Sequence, residues 1–81
     1  MNKAEKLKAR LLARQGYHNF SFADARAMLK GLGFRLDRQE GSHQVWQHPA
    51  VAAPVNIQDF KGKAKPYQLD QIRKIVREHK L

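Results

Sequence analysis

The sequence predicts an α+β fold in which a three-stranded antiparallel sheet is packed by helices on one face, in the order α-α-β-β-β-α. Two amphipathic segments with helical spacing open the chain, three short segments typical of strands follow, and a third amphipathic segment closes it. The length of 81 residues allows one domain, residues 1–81, with a single small hydrophobic core.

Each predicted helix has its own signals. In the first helix, leucines recur on one face while lysines and arginines occupy the other. Ser21 followed by Asp24 resembles a capping box at the start of the second helix, and Gly33 supplies its left-handed stop. Pro66 is tolerated in the first turn of the last helix. The three helices are predicted over residues 3–14, 21–32 and 67–79.

The strands form a predicted meander over residues 34–58. The first and third strands alternate apolar and polar residues, as strands with one buried face do. The second strand, near His43 to His48, carries the adjacent apolar residues Val45 and Trp46, so either of its faces can be the buried one. If Val45 packs inward, His43 lies at the rim of the buried face. If Trp46 packs inward, His43 points to solvent.

The charge balance favours a polyanionic partner. Sixteen lysines and arginines against seven aspartates and glutamates give a formal net charge of +9, and a positive field of this size favours nucleic acid or another acidic macromolecule. A basic structural protein, or a chain neutralised by an acidic protein partner, is compatible with the charge alone. The lack of cysteine excludes a disulfide framework, a thiolate nucleophile and a zinc–thiolate site, and it fits a reducing cytoplasm.

Membrane and cofactor signals are missing from the sequence. No apolar run has the length of a signal-peptide core or a membrane span, so we expect a soluble, cytoplasmic protein with no membrane partner. His18, His48 and His79 are scattered, with no acidic or cysteine neighbours at metal-binding spacing, and no phosphate-binding or dinucleotide-binding fingerprint occurs. We therefore predict no metal site and no small-molecule cofactor.

The tripeptide Gly41-Ser42-His43, at the turn before the second strand, is the candidate catalytic segment. A histidine has an unperturbed pKa of about 6.5 and so takes or gives a proton near neutral pH. RNA carries its own nucleophile, the 2′-hydroxyl, so its cleavage needs a base, positive charge near the phosphorus and an acid for the leaving oxygen. His43 can serve as the base or as the acid. The alternative is a turn histidine with a structural hydrogen bond.

Several side chains near His43 are candidates for RNA contacts. Gly41 leaves room for a phosphate, and Ser42 can donate to a phosphate oxygen or simply complete the turn. Arg38 is expected across the hairpin from His43, where it can contact a phosphate. Trp46 is a candidate for base stacking, although a strand tryptophan is more often a core residue. The loop predicted after the third strand carries three lysines that either attract phosphates or are simply solvated, Lys61, Lys63 and Lys65.

These motifs together resemble the HicA toxin family. A helix ending in Leu32-Gly33-Phe34 is followed by a charged strand, then by Gly41-Ser42-His43 and Gln44-Val45-Trp46, and then by His48-Pro49. The run from Val55 to Gln68 is similar to one branch of that family. The resemblance covers nearly the whole chain, and the neighbours of the short Gly-Ser-His motif make it fairly specific.

The resemblance implies a fold and a function. It implies the fold of double-stranded-RNA-binding domains, which the predicted order α-β-β-β-α also has, and an mRNA interferase activity controlled by a HicB-type antitoxin. The catalytic histidine of the family maps onto His43, and the glycine before it onto Gly41. Many relatives have a second histidine directly after the first, where this chain has Gln44. The acid partner of His43 is therefore unassigned.

The function predicted from the sequence is that of a toxin of a type II toxin–antitoxin system, a metal-independent endoribonuclease that cleaves mRNA with His43 as its catalytic residue. The antitoxin is expected to mask the active site. The main alternative is a non-catalytic RNA-binding module of the same fold, and a third interpretation is a regulatory interaction protein that has lost its activity. The three differ in whether RNA is cleaved and whether cleavage depends on His43.

Overall fold

The computed structural model describes residues 2–81, which form three α-helices and a four-stranded antiparallel sheet. The helices are α1 (Lys3–Ala13), α2 (Phe22–Gly31) and α3 (Pro66–His79). The strands are β1 (Arg35–Glu40), β2 (His43–His48), β3 (Val51–Phe60) and β4 (Lys63–Ala64), lying in the order β1-β2-β3-β4. A short 3-10 turn, Tyr17–Asn19, joins α1 to α2. No helix in the described residues is long and apolar enough to cross a membrane.

The fourth strand corrects the predicted three-stranded sheet. β3 starts at Val51, and its end at Phe60 pairs with Lys63 of β4. The two residues between them, Lys61 and Gly62, have φ values of 53° and 82°. Two consecutive positive φ values are those of a type I′ turn, which closes a tight hairpin. The predicted lysine loop is therefore mostly a hairpin of defined geometry.

The helices cover one face of the sheet and leave the other open. Trp46 of β2 and Ile57 of β3 are fully buried beneath the helices, whereas every residue of β1 is exposed. The buried face of β2 is therefore the one that carries Trp46, which answers the question that the sequence leaves open. The largest fully buried side chains contributed by the helices and the α1–α2 connection are Leu11, Phe20, Met28, Leu29, Leu69 and Ile72.

Local capping explains where α2 begins and ends. The Ser21 hydroxyl accepts a hydrogen bond from the backbone N–H of Asp24 at 2.9 Å, as an N-cap side chain does. At the other end, Gly33 has φ 96° and the N–H of Phe34 donates to the carbonyl of Leu29 at 2.9 Å. Gly33, with its positive φ, ends α2 and directs the chain into β1.

His48 ties the end of α2 to the end of β2. Its Nδ1 accepts a hydrogen bond from the backbone N–H of Ala50 at 3.0 Å, and its Nε2 lies 3.1 Å from the carbonyl oxygen of Leu32. Because Nδ1 is an acceptor, the ring proton belongs on Nε2, which donates to Leu32. The ring also packs on Phe34, with 4.9 Å between the ring centroids. His48 therefore has a structural role.

Candidate active site

The turn of the β1–β2 hairpin presents His43 on the open face of the sheet. Gly41 and Ser42 are the two turn residues, so Glu40 and His43 lie opposite each other where the strands begin to pair. Gly41 has φ 58° while Ser42 has no positive φ, the pattern of a type II′ turn that favours glycine at its first position. A Cβ built on Gly41 would meet no atom within 4 Å. Glycine is thus favoured here by backbone conformation, and the space above it is open.

A chain of side-chain hydrogen bonds connects the core to this turn. The indole N–H of Trp46 donates to Oε1 of Gln44 at 3.0 Å, and Nε2 of Gln44 donates to Oε1 of Gln39 at 3.0 Å. Nε2 of Gln39 then donates to the carbonyl of Gly41 at 3.1 Å. We call these three bonds the Trp46–Gly41 relay. It holds the turn from the covered side, directly beneath His43.

The neighbouring strand β3 holds the turn from the side. The carbonyl of Ser42 accepts a hydrogen bond from the N–H of Asp59 at 2.9 Å, and its hydroxyl lies 3.4 Å from Nε2 of Gln58. Gln58 is itself anchored, because its backbone N–H donates to the side chain of Gln68 on α3 at 2.8 Å. The turn is therefore fixed from two directions, and the Ser42 hydroxyl remains able to donate.

His43 is exposed and its imidazole makes no hydrogen bond within the described residues 2–81. Its cross-strand neighbours on the open face are Glu40 of β1 and Gln58 of β3. Both ring nitrogens are thus free to exchange a proton with a bound molecule, while the backbone beneath is fixed by the turn. Fixed backbone and an unengaged ring are the geometry that proton transfer to an outside ligand requires.

Arg38 does not lie across from His43, and this prediction is wrong. The two-residue turn sets the register, so Glu40 opposes His43 and Arg38 opposes Val45. Arg38 stays on the open face, because alternate residues of a strand share a face. It lies two cross-strand pairs further from the turn, so Glu40 and not Arg38 is the residue directly across from His43.

Trp46 cannot stack on RNA bases, so this prediction is also wrong. Its side chain is fully buried and its indole N–H is bonded to Gln44. Gln44 is 2% exposed and faces the core as well, because residues two apart along a strand, such as Gln44 and Trp46, share a face. A histidine at position 44 would therefore lie on the covered face, away from the imidazole of His43.

The candidate lysines gather around the β3–β4 hairpin. Lys63 has its Nζ 3.4 Å from Oδ1 of Asn19, so it is tied to the α1–α2 connection. Lys61 and Lys65 instead place their Nζ atoms 5.5 and 5.6 Å from the centroid of the Phe60 ring. The sequence interpretation missed Phe60, although an aromatic residue followed by alternating lysines was a visible signal.

The site is an open surface and not a cleft. A cavity of about 280 Å³ lies at the opposite end of the β1–β2 hairpin, around Leu36 and Pro49, and does not include His43. No group of three histidine, aspartate or glutamate side chains in the described part of the chain could hold a metal ion. An open surface admits a long polymer, whereas a small ligand usually needs an enclosing pocket.

Comparison with known protein families places this small basic α+β protein among the components of bacterial toxin–antitoxin systems. The family described as HicA toxin of bacterial toxin-antitoxin matches residues 22–77, from the start of α2 almost to the end of α3. The chain therefore belongs to the HicA toxin family, which implies an antitoxin partner. The comparisons with curated proteins and with solved structures found no match.

Proposed function

We propose that this protein is the toxin of a type II toxin–antitoxin system and acts as an endoribonuclease on mRNA in the cytoplasm. The observation that carries the proposal is the exposed, unengaged imidazole of His43 on a turn that is fixed from two directions. The formal net charge of +9 supports a polyanionic substrate. Membership of the HicA toxin family supports the toxin role and an antitoxin partner.

In the proposed reaction the 2′-hydroxyl of RNA attacks the adjacent phosphorus while the bond from phosphorus to the 5′-oxygen breaks. The products are a 2′,3′-cyclic phosphate and a 5′-hydroxyl end. His43 removes the proton of the attacking 2′-hydroxyl while water protonates the leaving 5′-oxygen, or it protonates the 5′-oxygen while water takes the proton of the 2′-hydroxyl. No step requires a metal ion, since substrate and protein supply the nucleophile and the proton carrier.

Nearby groups would support this chemistry. Arg38 on the same face, and the exposed Ser42 hydroxyl, would contact phosphate oxygens and favour the negative charge that develops on them. The opening above Gly41 gives the phosphate room to approach.

A HicB-type antitoxin is the proposed regulatory partner. A basic ribonuclease that is active without restraint would damage the RNA of its own cell, so its open face must be covered. We expect an acidic surface of the antitoxin to lie over His43 and to block RNA there. The order α2-β1-β2-β3-α3 is also that of double-stranded-RNA-binding domains, which supports a related fold with its helices on the face away from the site.

Induced expression in a host cell tests the proposal. The wild-type chain should arrest growth, and His43→Ala should abolish the arrest while the purified variant keeps its circular dichroism spectrum. Co-expression of the antitoxin should restore growth and prevent RNA cleavage. Growth arrest by a folded His43→Ala protein would contradict the catalytic role, and an antitoxin that binds without affecting cleavage would contradict masking.

A non-catalytic RNA-binding module is the second candidate. It is favoured by one observation, which is that no second histidine lies beside His43 to act as its acid or base partner. This candidate predicts that the wild-type chain binds RNA and leaves it intact, and that His43→Ala changes little. Product analysis for cyclic phosphate ends separates the two candidates.

A further inference from the structure

Two aromatic rings near the β3–β4 hairpin are left outside the core. Phe60 is 55% exposed and Tyr67, in the first turn of α3, is 57% exposed. Isolated exposed hydrophobic residues are common on protein surfaces. These two are not isolated, because the Nζ of Lys65 lies 5.6 Å from the Phe60 centroid and 6.0 Å from the Tyr67 centroid. We call Phe60, Tyr67, Lys61 and Lys65 the aromatic–lysine patch.

The patch lies next to His43. Gln58 is the direct cross-strand partner of His43, and Phe60 is two residues further along the same strand. Strand alternation places Phe60 on the side of the sheet that carries Gln58 and His43. Such diagonal neighbours are typically about 7–8 Å apart, within reach of aromatic side chains. Phe60 is therefore a diagonal neighbour of His43 on the open face of the sheet.

The chemistry of the patch fits a nucleotide better than an apolar protein surface. A nucleobase stacks on an aromatic face, and its phosphate pairs with a cation. Lys61 and Lys65 supply two ammonium groups within 6 Å of the Phe60 ring, and neither forms an ion pair in the described structure. Asp59, the nearest acid along the strand, has its Oδ1 atom bonded to the N–H of Gly62 at 2.7 Å, inside the turn.

From this geometry we infer that Phe60 is the stacking platform for the base of the nucleotide next to the cleaved phosphate. Lys61 and Lys65 hold the phosphate of that nucleotide, and Tyr67 extends the platform towards the next base. The inference rests on the proposed function and adds a substrate requirement to it. A base that stacks on Phe60 must leave its helix, so the site selects single-stranded RNA over paired RNA.

Binding measured in a His43→Ala background tests the platform separately from cleavage. A fluorescently labelled single-stranded RNA should bind this parent chain, and adding Phe60→Ala should weaken binding roughly tenfold or more, as loss of one stacked base does. Phe60→Trp should retain the affinity. Leu36→Ala is the matched control, since Leu36 is 41% exposed and lies at the far end of the hairpin. Thermal unfolding should show that all variants are folded.

Two other RNA ligands, one without bases and one fully paired, test whether Phe60 contacts an unpaired base. An oligonucleotide of abasic residues should bind the parent and the Phe60→Ala variant equally, because it has no base to stack. A fully paired RNA should bind more weakly than the single strand and show no dependence on Phe60. In chains that retain His43, Phe60→Ala should raise KM for a single-stranded substrate.

Equal binding of single-stranded RNA by the parent and Phe60→Ala chains would overturn the inference. A Phe60→Ala chain that keeps its RNA affinity but no longer binds the antitoxin would also overturn it, since the patch would then be a protein-docking surface. If RNA binding depends on Phe60 but the wild-type chain cleaves nothing, the platform stands as a binding site and the proposed ribonuclease activity fails. The two failures are thus distinguishable.

Discussion

At the scale of single residues, two adjacent residues of β2 face opposite sides of the sheet and differ in their contacts. His43 faces solvent with a free imidazole, while Gln44 is buried and makes two hydrogen bonds. The Gly-Ser-His motif identifies His43 as a candidate, and its exposure follows from the burial of Trp46 on the other face of β2. The strand periodicity explains the burial of Gln44, because a residue that follows an open-face residue must face the core. The glutamine after His43 is thus a structural link between Trp46 and Gln39.

Tyr17 provides a residue-scale prediction for alkaline pH. Its hydroxyl donates to the carbonyl of Leu11 at 2.9 Å inside the core. Burial raises the pKa of the Tyr17 phenol above its ordinary value of 10.0, and the nearby carboxylate of Asp70 raises it further. The folded state therefore favours the neutral phenol. This contribution to stability is fully present below pH 10 and is lost as the pH rises through the folded-state pKa.

Urea unfolding at pH 8 to 11 checks this prediction. The wild type should lose stability above pH 10 more steeply than Tyr17→Phe, which has no phenol to ionise. At pH 8 the variant should be less stable by about 1 kcal/mol, because a buried hydrogen bond is removed. Tyr67→Phe is the control, since that ring is exposed. Equal pH slopes for wild type and Tyr17→Phe would contradict the account.

At the scale of elements, the Trp46–Gly41 relay connects the turn before His43 to the core. Gln44→Leu removes both hydrogen bonds of the buried amide and leaves the indole N–H of Trp46 without its partner. We expect a loss of about 1–3 kcal/mol in the free energy of unfolding, the usual penalty for an unsatisfied buried group. Gln47→Leu on the open face of the same strand should change stability little.

The same pair of variants tests whether the relay positions His43. If it does, Gln44→Leu should lower kcat for RNA cleavage under conditions where the variant is still folded, with little effect on KM. Gln47→Leu should leave kcat unchanged. A folded Gln44→Leu protein with wild-type kcat would show that the turn keeps its geometry without the relay.

The elements also show which parts of the fold the sequence could predict. The start of α2 was predictable because Ser21 and Asp24 form a local cap that needs no tertiary contact. β4 was not predictable, because two residues, Lys63 and Ala64, have no periodicity of their own. They form a strand only because the end of β3 offers backbone groups to pair with. The turn between them uses Lys61 at positive φ, where the common signal is asparagine.

In the candidate site, too, some features could be predicted from the sequence and others could not. His43, Gly41 and Ser42 were identified from their order in the chain and lie together at one turn. The positions of Arg38 and Phe60 depend on strand register, which follows from the two-residue turns at the ends of the hairpins. Sequence spacing alone does not fix that register. The stacking role expected of Trp46 was wrong for the related reason that two adjacent apolar residues leave the buried face undecided.

At the scale of the whole molecule, the surplus of positive charge should govern RNA affinity. Each phosphate neutralised on a single strand lowers the slope of log K against log salt by about 0.7. In the His43→Ala background, Lys61→Gln and Lys65→Gln should each make the slope less steep, by up to about 0.7, since both lysines contact one phosphate. Lys74→Gln, on α3 and paired with Glu78 at 4.0 Å, is the control and should not change it. Unchanged slopes for both the Lys61→Gln and Lys65→Gln variants would show that neither lysine contacts an RNA phosphate.

The two faces of the sheet differ in what they carry. Helices and core side chains occupy the covered face and supply stability. The open face carries His43, Arg38 and Phe60, one on each of three neighbouring strands. An antitoxin that binds this face would block the substrate without requiring the toxin to unfold, which fits the proposed control by masking.

The central claim is tested most directly by incubating purified chain with RNA in EDTA, with wild type beside His43→Ala. The control is His18→Ala, which removes an exposed histidine of the α1–α2 connection. We predict that the wild type and His18→Ala cleave the RNA and leave 2′,3′-cyclic phosphate ends, while folded His43→Ala leaves it intact. Cleavage by folded His43→Ala at the wild-type rate, or binding without cleavage by all three proteins, would contradict the account.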